Sequence, residues 1–287
     1  MIALMGSVFS TYYAWSGRAD PINHCALNVA LYGRGGRRWA MTERGRGSLF
    51  ASQRDLVIGP SSVRCEGDSI VIDIDETCAP LPRRVQGRIV IHPQIETPIS
   101  RPLDPAGRHL WWPIAPLARV EVEMRRPGVS WSGNGYVDAN AGEVPLEADF
   151  SRWNWSYARR KKRAAVFYDV EFRDGTSSPI GLDVSPSGDV REIDALVAAP
   201  LGRTSIWRMA RSTRADTPGE AMVLRTLEDT PFYSRSTVAA RLFGETTVGM
   251  HESLCLNRLS QPVVRALLPF RNPRALKTQP PRGQLQP

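Results

Sequence analysis

Tyr136 and Asp138 stand two residues apart in a stretch running from Trp131 to Tyr157, WSGNGYVDANAGEVPLEADFSRWNWSY. That stretch holds three tryptophans, two tyrosines and four carboxylates. On a strand, residues two apart share a face, so Tyr136 and Asp138 would point the same way. A carboxylate facing aromatic rings loses water, which raises its pKa and favours the protonated form near neutral pH. A protonated carboxyl is a general acid. The other reading has Asp138 opening a turn over Asp138–Gly142 and hydrogen-bonding backbone amides. A calcium loop is disfavoured, because the oxygen ligands are too few.

The same two-residue spacing recurs nearby. His109 and Trp111 would share a face, as would Trp153 and Trp155. Five of the eight tryptophans fall between positions 111 and 155, among them Trp112 and Trp131. They form either an aromatic core between sheets or the wall of a pocket for a long apolar ligand. His251-Glu252, in GMHESLCL, pairs another histidine with a carboxylate but carries no signature of its own.

Other chemistries find little support. The four histidines, at 24, 92, 109 and 251, make no HxH or HExxH pattern, and the four cysteines make no CxxC, so no metal centre is expected. No GxSxG elbow, Walker lysine or helix-opening GxGxxG occurs. The scattered cysteines fit reduced thiols in the cytosol.

Positioning these residues falls to strands. Short β-prone runs are expected at Gly6–Trp15, Cys25–Tyr32, Ser69–Asp75, Val85–His92 and Ala118–Met124, then at Ala165–Phe172, Ser205–Arg211, Ala221–Leu227 and Thr237–Leu242. Arg119-Val120-Glu121-Val122-Glu123 shows the alternation of a half-buried strand. Turn residues separate the runs at Arg126-Pro127-Gly128, Arg173-Asp174-Gly175 and Ser185–Gly188. Helical periodicity is confined to Ser260–Leu268. The chain is therefore expected to be all-β with few short helices, and 287 residues hold more strands than one eight-stranded barrel needs. Two β-domains follow, 1–150 carrying the motif and 151–270, with a disordered tail over 271–287.

No run of eighteen apolar residues marks a spanning helix, and the apolar start of the chain reads as a strand rather than a signal peptide. The net charge of +8 favours anionic partners, although an arginine excess also accompanies GC-rich genomes. Arg159-Arg160-Lys161-Lys162-Arg163 is the densest basic run, close to Trp153 and Trp155. It is either a membrane-docking edge or a solvated strand end.

Several segments resemble the acyclic carotenoid 1,2-hydratases, also called hydroxyneurosporene synthases: GSVFSTYYAW (Gly6–Trp15), ADPINHCALNVALYG (Ala19–Gly33), WAMTERGR (Trp39–Arg46), WSGNGYVDANAGEVPLE, RWNWS, LEDTPFYSRS (Leu227–Ser236), and MHESLCLNRL through LLPFRNPR (Met250–Arg274). The resemblance runs through nearly the whole chain in order. It implies two lipocalin-like antiparallel β-barrels packed together, and hydration of the terminal C1–C2 double bond of neurosporene, lycopene or a similar acyclic carotenoid, without a cofactor. It also implies a catalytic set of His109, Trp111, Tyr136 and Asp138, and the clustered Trp112, Trp131, Trp153 and Trp155 are expected to line the substrate pocket. Asp138 would protonate the alkene, aromatic faces would stabilise the cation, and water guided by Tyr136 or His109 would add. Family members carry residues ahead of the Gly6 segment, so the expectation is either that an edge strand of the first barrel is missing or that the start site is misassigned. The expected partners are the carotenoid and the surface of the inner or intracytoplasmic membrane, met from the cytoplasm, with no nucleic acid. A prenyl-chain cyclase and a non-catalytic carotenoid or lipid carrier remain the alternatives.

Overall fold

A computed structural model of the chain describes residues 1–33, 37–194 and 196–276. In chain order its strands are β1 (Ile2–Met5), β2 (Cys25–Leu31), β3 (Arg38–Ala40), β4 (Leu49–Ala51), β5 (Asp55–Ile58), β6 (Ser61–Glu66), β7 (Ser69–Thr77), β8 (Arg84–Ile95), β9 (Arg101–Pro102) and β10 (His109–Arg126). After these come β11 (Val129–Gly142), β12 (Phe150–Arg160), β13 (Arg163–Phe172), β14 (Ser177–Val184), β15 (Val190–Glu192), β16 (Val197–Leu201), β17 (Arg211–Ala215), β18 (Ala221–Asp229), β19 (Tyr233–Leu242) and β20 (Glu245–Cys255). Helices are short: α1 (Thr11–Trp15), α2 (Leu146–Asp149), α3 (Leu256–Leu259) and α4 (Pro262–Leu267). The β-rich expectation and its few helices hold.

Two expected strands are absent. Gly6–Trp15 is rich in β-prone residues, yet Ser10 accepts the Tyr13 amide and starts α1, and an N-cap of this kind outweighs local propensity. Ser205–Arg211 is a loop up to residue 210, closed on itself by Thr204 and Met209.

The chain forms two compact units, but not divided at residue 150. Among the described residues, one unit falls within 1–93, 119–135 and 265–287, the other within 94–118 and 136–264. The long hairpin β10–β11 explains the difference, since each of its strands begins in one unit and ends in the other. In the first unit Leu27, Val29, Ile72, Ile74, Val120, Val122 and Met124 form a continuous apolar cluster. Around it lies a buried polar network. Glu43 bonds to Ser10, to His24 Nδ1 (2.7 Å) and to Arg274, and Arg44 pairs with Glu76 at 2.8 Å. Removing one member of such a network strands a buried charge, a loss of about 3–5 kcal/mol. The expected disordered tail lies outside the described residues from 277 onward. Before that, Asn272 is buried and Ala275 donates its amide to the Glu43 carbonyl at 2.8 Å.

In the second unit the sheet order is β15-β14-β13-β12-β20-β19-β18, antiparallel at every pairing. Register decides which side chains share a face. Trp155 lies opposite Tyr168 on one side and Glu252 on the other, and Glu252 lies opposite Arg235. Trp153, Tyr157, Val166, Val170, Met250 and Leu254 complete this aromatic face. The reverse face carries Asn154, Ser156, His251 and Ser253, and the β16–β17 hairpin covers it. Ser156 meets Thr213 at 2.8 Å, Arg214 pairs with Asp169 at 2.7 Å, and His251 Nε2 meets the Ser212 carbonyl at 2.8 Å.

Candidate active site

β10 alternates sharply where it enters the second unit: His109 and Trp111 are buried while Leu110 and Trp112 are exposed. The indole N–H of Trp111, a residue with no exposed surface, donates to Asp138 Oδ2 at 3.0 Å. The hydroxyl of Tyr136 donates to the same oxygen at 3.1 Å. Asp138 thus sits in strand β11 and opens no turn. Both donors converge on Oδ2, so an acid proton belongs on Oδ1. As a whole residue Asp138 keeps intermediate exposure. Burial of its carboxyl group still raises its pKa to about 6, helped by the charge of Glu252 and opposed by the bonds from Trp111 and Tyr136.

Aromatic rings close around this carboxyl. Tyr136 packs 5.2 Å from Trp155 and 4.8 Å from Tyr157, and Tyr168 lies 5.3 Å from Trp111 and 5.0 Å from Trp153. Burial, then the charge of Asp138, hold both Tyr136 and Tyr168 well above the ordinary tyrosine pKa. Both phenols are therefore hydrogen-bond donors across the working pH range. The Tyr168 hydroxyl reaches Asn140 Oδ1 at 3.3 Å. The indole N–H of Trp153 is buried and unpartnered among the described residues.

His109 lies on the same face but bonds elsewhere. Its Nε2 meets Asp149 Oδ2 at 2.8 Å, Asp149 pairs with Arg108, and the ring packs 4.7 Å from Phe150. Its amide donates to Asp104 Oδ1 at 2.7 Å. A carboxylate only accepts, so Nε2 carries the hydrogen in the neutral ring and Nδ1 keeps a lone pair. Among the described residues that Nδ1 is buried without a partner. Gly142 leaves room beside it, since a β-carbon there would come within 2.8 Å.

Trp111, Tyr136, Asp138, Trp153 and Trp155 therefore come together, with His109 set to one side. Two expected pocket residues do not join them. Trp112 points away and donates to the Thr97 carbonyl at 2.5 Å, because its neighbour Trp111 takes the inner face. Trp131 belongs to the first unit, where it is half exposed beside a charged surface groove of about 550 Å³ lined by Arg88, Arg119, Glu121 and Glu123. Tyr168, Glu252 and Asp149 are additional site residues. His251 faces away from Glu252 onto the polar side, where burial lowers its pKa to about 4.

Four of the five residues in the basic run at 159–163 have partners. Arg160 and Arg163 both pair with Asp183, Lys161 with Glu245, and Arg159 bonds to Gln94. Trp153 and Trp155 pack against Tyr168 and Tyr136 on the aromatic face. Among the described residues no three His, Cys, Asp or Glu side chains converge as a metal-binding set, and no helix is long and apolar enough to cross a membrane. All four cysteines are free thiols.

A carboxyl poised to give up a proton inside an aromatic enclosure suits acid chemistry on an apolar molecule. Comparison with known proteins identifies the family. The family model described as carotenoid hydratase CrtC matches residues 1–280. The acyclic carotenoid 1,2-hydratase of Thiocapsa roseopersicina is 50% identical over 277 residues, covering 96% of this chain and 68% of that protein. Its counterpart in Cereibacter sphaeroides is 43% identical, covering 96% of this chain and 98% of that one. In fold, a Nitrosomonas europaea protein assigned as AttH superposes with a TM-score of 0.60 at 13% identity, over 80% of each chain. By sequence over almost its full length, this chain belongs to the carotenoid hydratase family.

Proposed function

We propose that the chain adds water across the terminal C1–C2 double bond of an acyclic carotenoid such as lycopene or neurosporene, with Asp138 as the acid. The observation that carries this reading is the placement of two hydrogen-bond donors on Asp138 Oδ2, which leaves Oδ1 to hold and deliver the proton. Transfer of that proton to C2 places the positive charge on C1, a tertiary carbon. The faces of Trp111, Trp155 and Tyr168 stabilise the cation, and the enclosure keeps bulk water from quenching it. One water then attacks C1, and its surplus proton returns to Asp138. His109 Nδ1, a lone pair held in place through Asp149, is the group suited to orient that water. The chain's own residues supply every step, so the reaction is written without a cofactor. In this reading each compact unit is a lipocalin-like β-barrel, and the carotenoid is reached from a membrane surface on the cytoplasmic side.

Incubation with lycopene dispersed in lipid distinguishes the alternatives. Hydration adds the mass of one water, and label from heavy-oxygen water enters the product. An isomer of unchanged mass identifies a cyclase, and unaltered lycopene a carrier. Either result rejects this reading.

Glu252 tunes the acid from the facing strand. Its charge helps raise the pKa of Asp138, and Arg235 holds it in place at 2.7 Å. Activity needs protonated Asp138, so hydration should decline as pH rises through about 6. In Glu252→Gln the acid's pKa falls, and that decline should move to lower pH. An unshifted profile, with only the maximal rate altered, would leave Glu252 a packing residue.

A further inference from the structure

The aromatic face of the second unit's sheet extends as far as Trp153, Leu254 and Tyr233, which lie opposite one another in the ladders. Beyond that end of the sheet lies the connection from β16 to β17. Its base is closed. Thr204 and Met209 are buried, the Thr204 amide donates to the Met209 carbonyl at 3.1 Å, and the Met209 amide donates to Thr204 Oγ1 at 2.9 Å. The four residues between them, Ser205-Ile206-Trp207-Arg208, are all exposed, Ile206 by 75% and Trp207 by 43%.

Single exposed apolar residues are common and need no explanation. This pair differs in being held in place. The Asp229 carboxylate, at the end of β18, accepts the amides of Ile206 (2.8 Å) and Trp207 (3.4 Å). From α3, Arg258 donates to the carbonyls of Trp207 (2.8 Å) and Pro231 (3.2 Å). Arg203 donates to the Arg208 carbonyl at 3.2 Å, and Arg208 adopts a φ of 52°. Charged side chains from two elements thus fix a narrow tip with its apolar groups turned to solvent.

Arginines predominate around the tip, and Glu228, beside Asp229 at the end of β18, lies opposite Arg235 on β19. Arg203 and Arg208 flank it, and exposed Arg225 follows exposed Met222 and Leu224 along edge strand β18. The nearest carboxylate, Asp229, is occupied by the tip's own amides. Tryptophan and aliphatic side chains ringed by arginine match a bilayer interface, where the rings settle among head groups and cations meet phosphates. A four-residue projection fits a penetrable surface better than a protein, whose interfaces need broad, flat complementarity.

We propose that Ser205–Arg208 is a membrane-docking wedge that inserts Ile206 and Trp207 into an anionic bilayer while Arg203, Arg208 and Arg225 contact its phosphates. Its position at the end of the aromatic face rests on the carotenoid reading for its purpose, since the substrate is a bilayer hydrocarbon. The wedge replaces the run at 159–163 as the docking element, because three of that run's five cations are held in ion pairs and no apolar side chain stands exposed among them.

The test is co-sedimentation of the full chain with carotenoid-free vesicles of phosphatidylcholine, with and without phosphatidylglycerol. The parent should bind the anionic vesicles and release them as salt rises. Ile206→Ser with Trp207→Ser should lower the partition coefficient by at least about tenfold. Arg203→Gln with Arg208→Gln should lose the preference for phosphatidylglycerol, and Arg159→Gln with Lys161→Gln should bind like the parent. All these positions are exposed or lie outside the core, and matching melting curves confirm that each variant folds. Failure of the parent to bind either vesicle would assign the tip to a protein partner, and equal binding by parent and Ile206/Trp207 variant would equally overturn the proposal. Because the vesicles hold no carotenoid, neither outcome bears on the chemistry. Hydration of detergent-dispersed lycopene should survive in the wedge variants whether or not docking does.

Discussion

Asp138→Asn should lower hydration by about 10²–10⁴-fold, the span that general acid catalysis contributes, and should at the same time make the protein more stable above pH 6. Asparagine keeps the size of the side chain, and its carbonyl oxygen can take the place of Oδ2, accepting from both Trp111 and Tyr136 as the carboxyl does. Only the transferable proton disappears. The stability gain follows from the raised pKa. The folded carboxyl titrates at about 6, against about 3.9 when unfolded. Between those values the folded state holds a proton that the unfolded state has released, so stability declines as pH climbs through the window. Above pH 6 both states are ionised, and the folded protein carries the whole cost of a charge among aromatic rings, at most about 3 kcal/mol. Asparagine removes that cost. Denaturant unfolding should show the variant stabilised at pH 8, with the advantage gone below pH 4. Near-normal turnover in the variant would end the case for Asp138 as acid, and a loss of stability at both pH values would mean that its burial is not what raises its pKa.

The centre of this site was legible because strands write it in period two. His109 with Trp111, Tyr136 with Asp138, and Trp153 with Trp155 are pairings that alternation alone puts on shared faces, whereas only the family resemblance joined Trp111 to Asp138 across two strands. Sequence density misled elsewhere for the same reason: Trp112 follows Trp111 and must therefore face away, and Trp131 sits at the far end of β11, in the other unit. Tyr168 and Glu252 were missed because ladder register brings them to Trp155 from strands about 13 and 97 positions away in the chain, and no local pattern fixes register. A signal for Glu252 did exist. It alternates with Met250 and Leu254, placing a carboxylate where an apolar residue is expected, and such breaks in pattern concentrate at functional sites. The failures at Gly6–Trp15 and Ser205–Arg211 share a cause. In each, one hydroxyl, Ser10 or Thr204, captures a nearby backbone amide and turns a β-prone composition into a helix or a closed loop.

Trp111 offers the sharper test of how the site works, because one side chain both shapes the acid and faces the cation. Trp111→Phe keeps a ring against Tyr168 but loses the N–H that donates to Asp138. That bond lowers the pKa of Asp138, so its loss should raise the pKa and move the decline in activity to higher pH. The weaker quadrupole of phenylalanine should also cost about tenfold in rate, for roughly 1–2 kcal/mol of cation–π stabilisation. Trp111→Ala loses the ring altogether. It leaves a cavity at a site with no exposed surface, worth about 3–5 kcal/mol in stability, and activity should fall well below that of the phenylalanine variant even at temperatures where both remain folded. Equal activity in the parent and both variants would reduce Trp111 to packing. The direction of the pH shift separates the roles further, since Glu252→Gln and Trp111→Phe should displace the profile in opposite senses. Only a common acid, reached by a charge from β20 and a hydrogen bond from β10, would connect two substitutions on separate strands in that way.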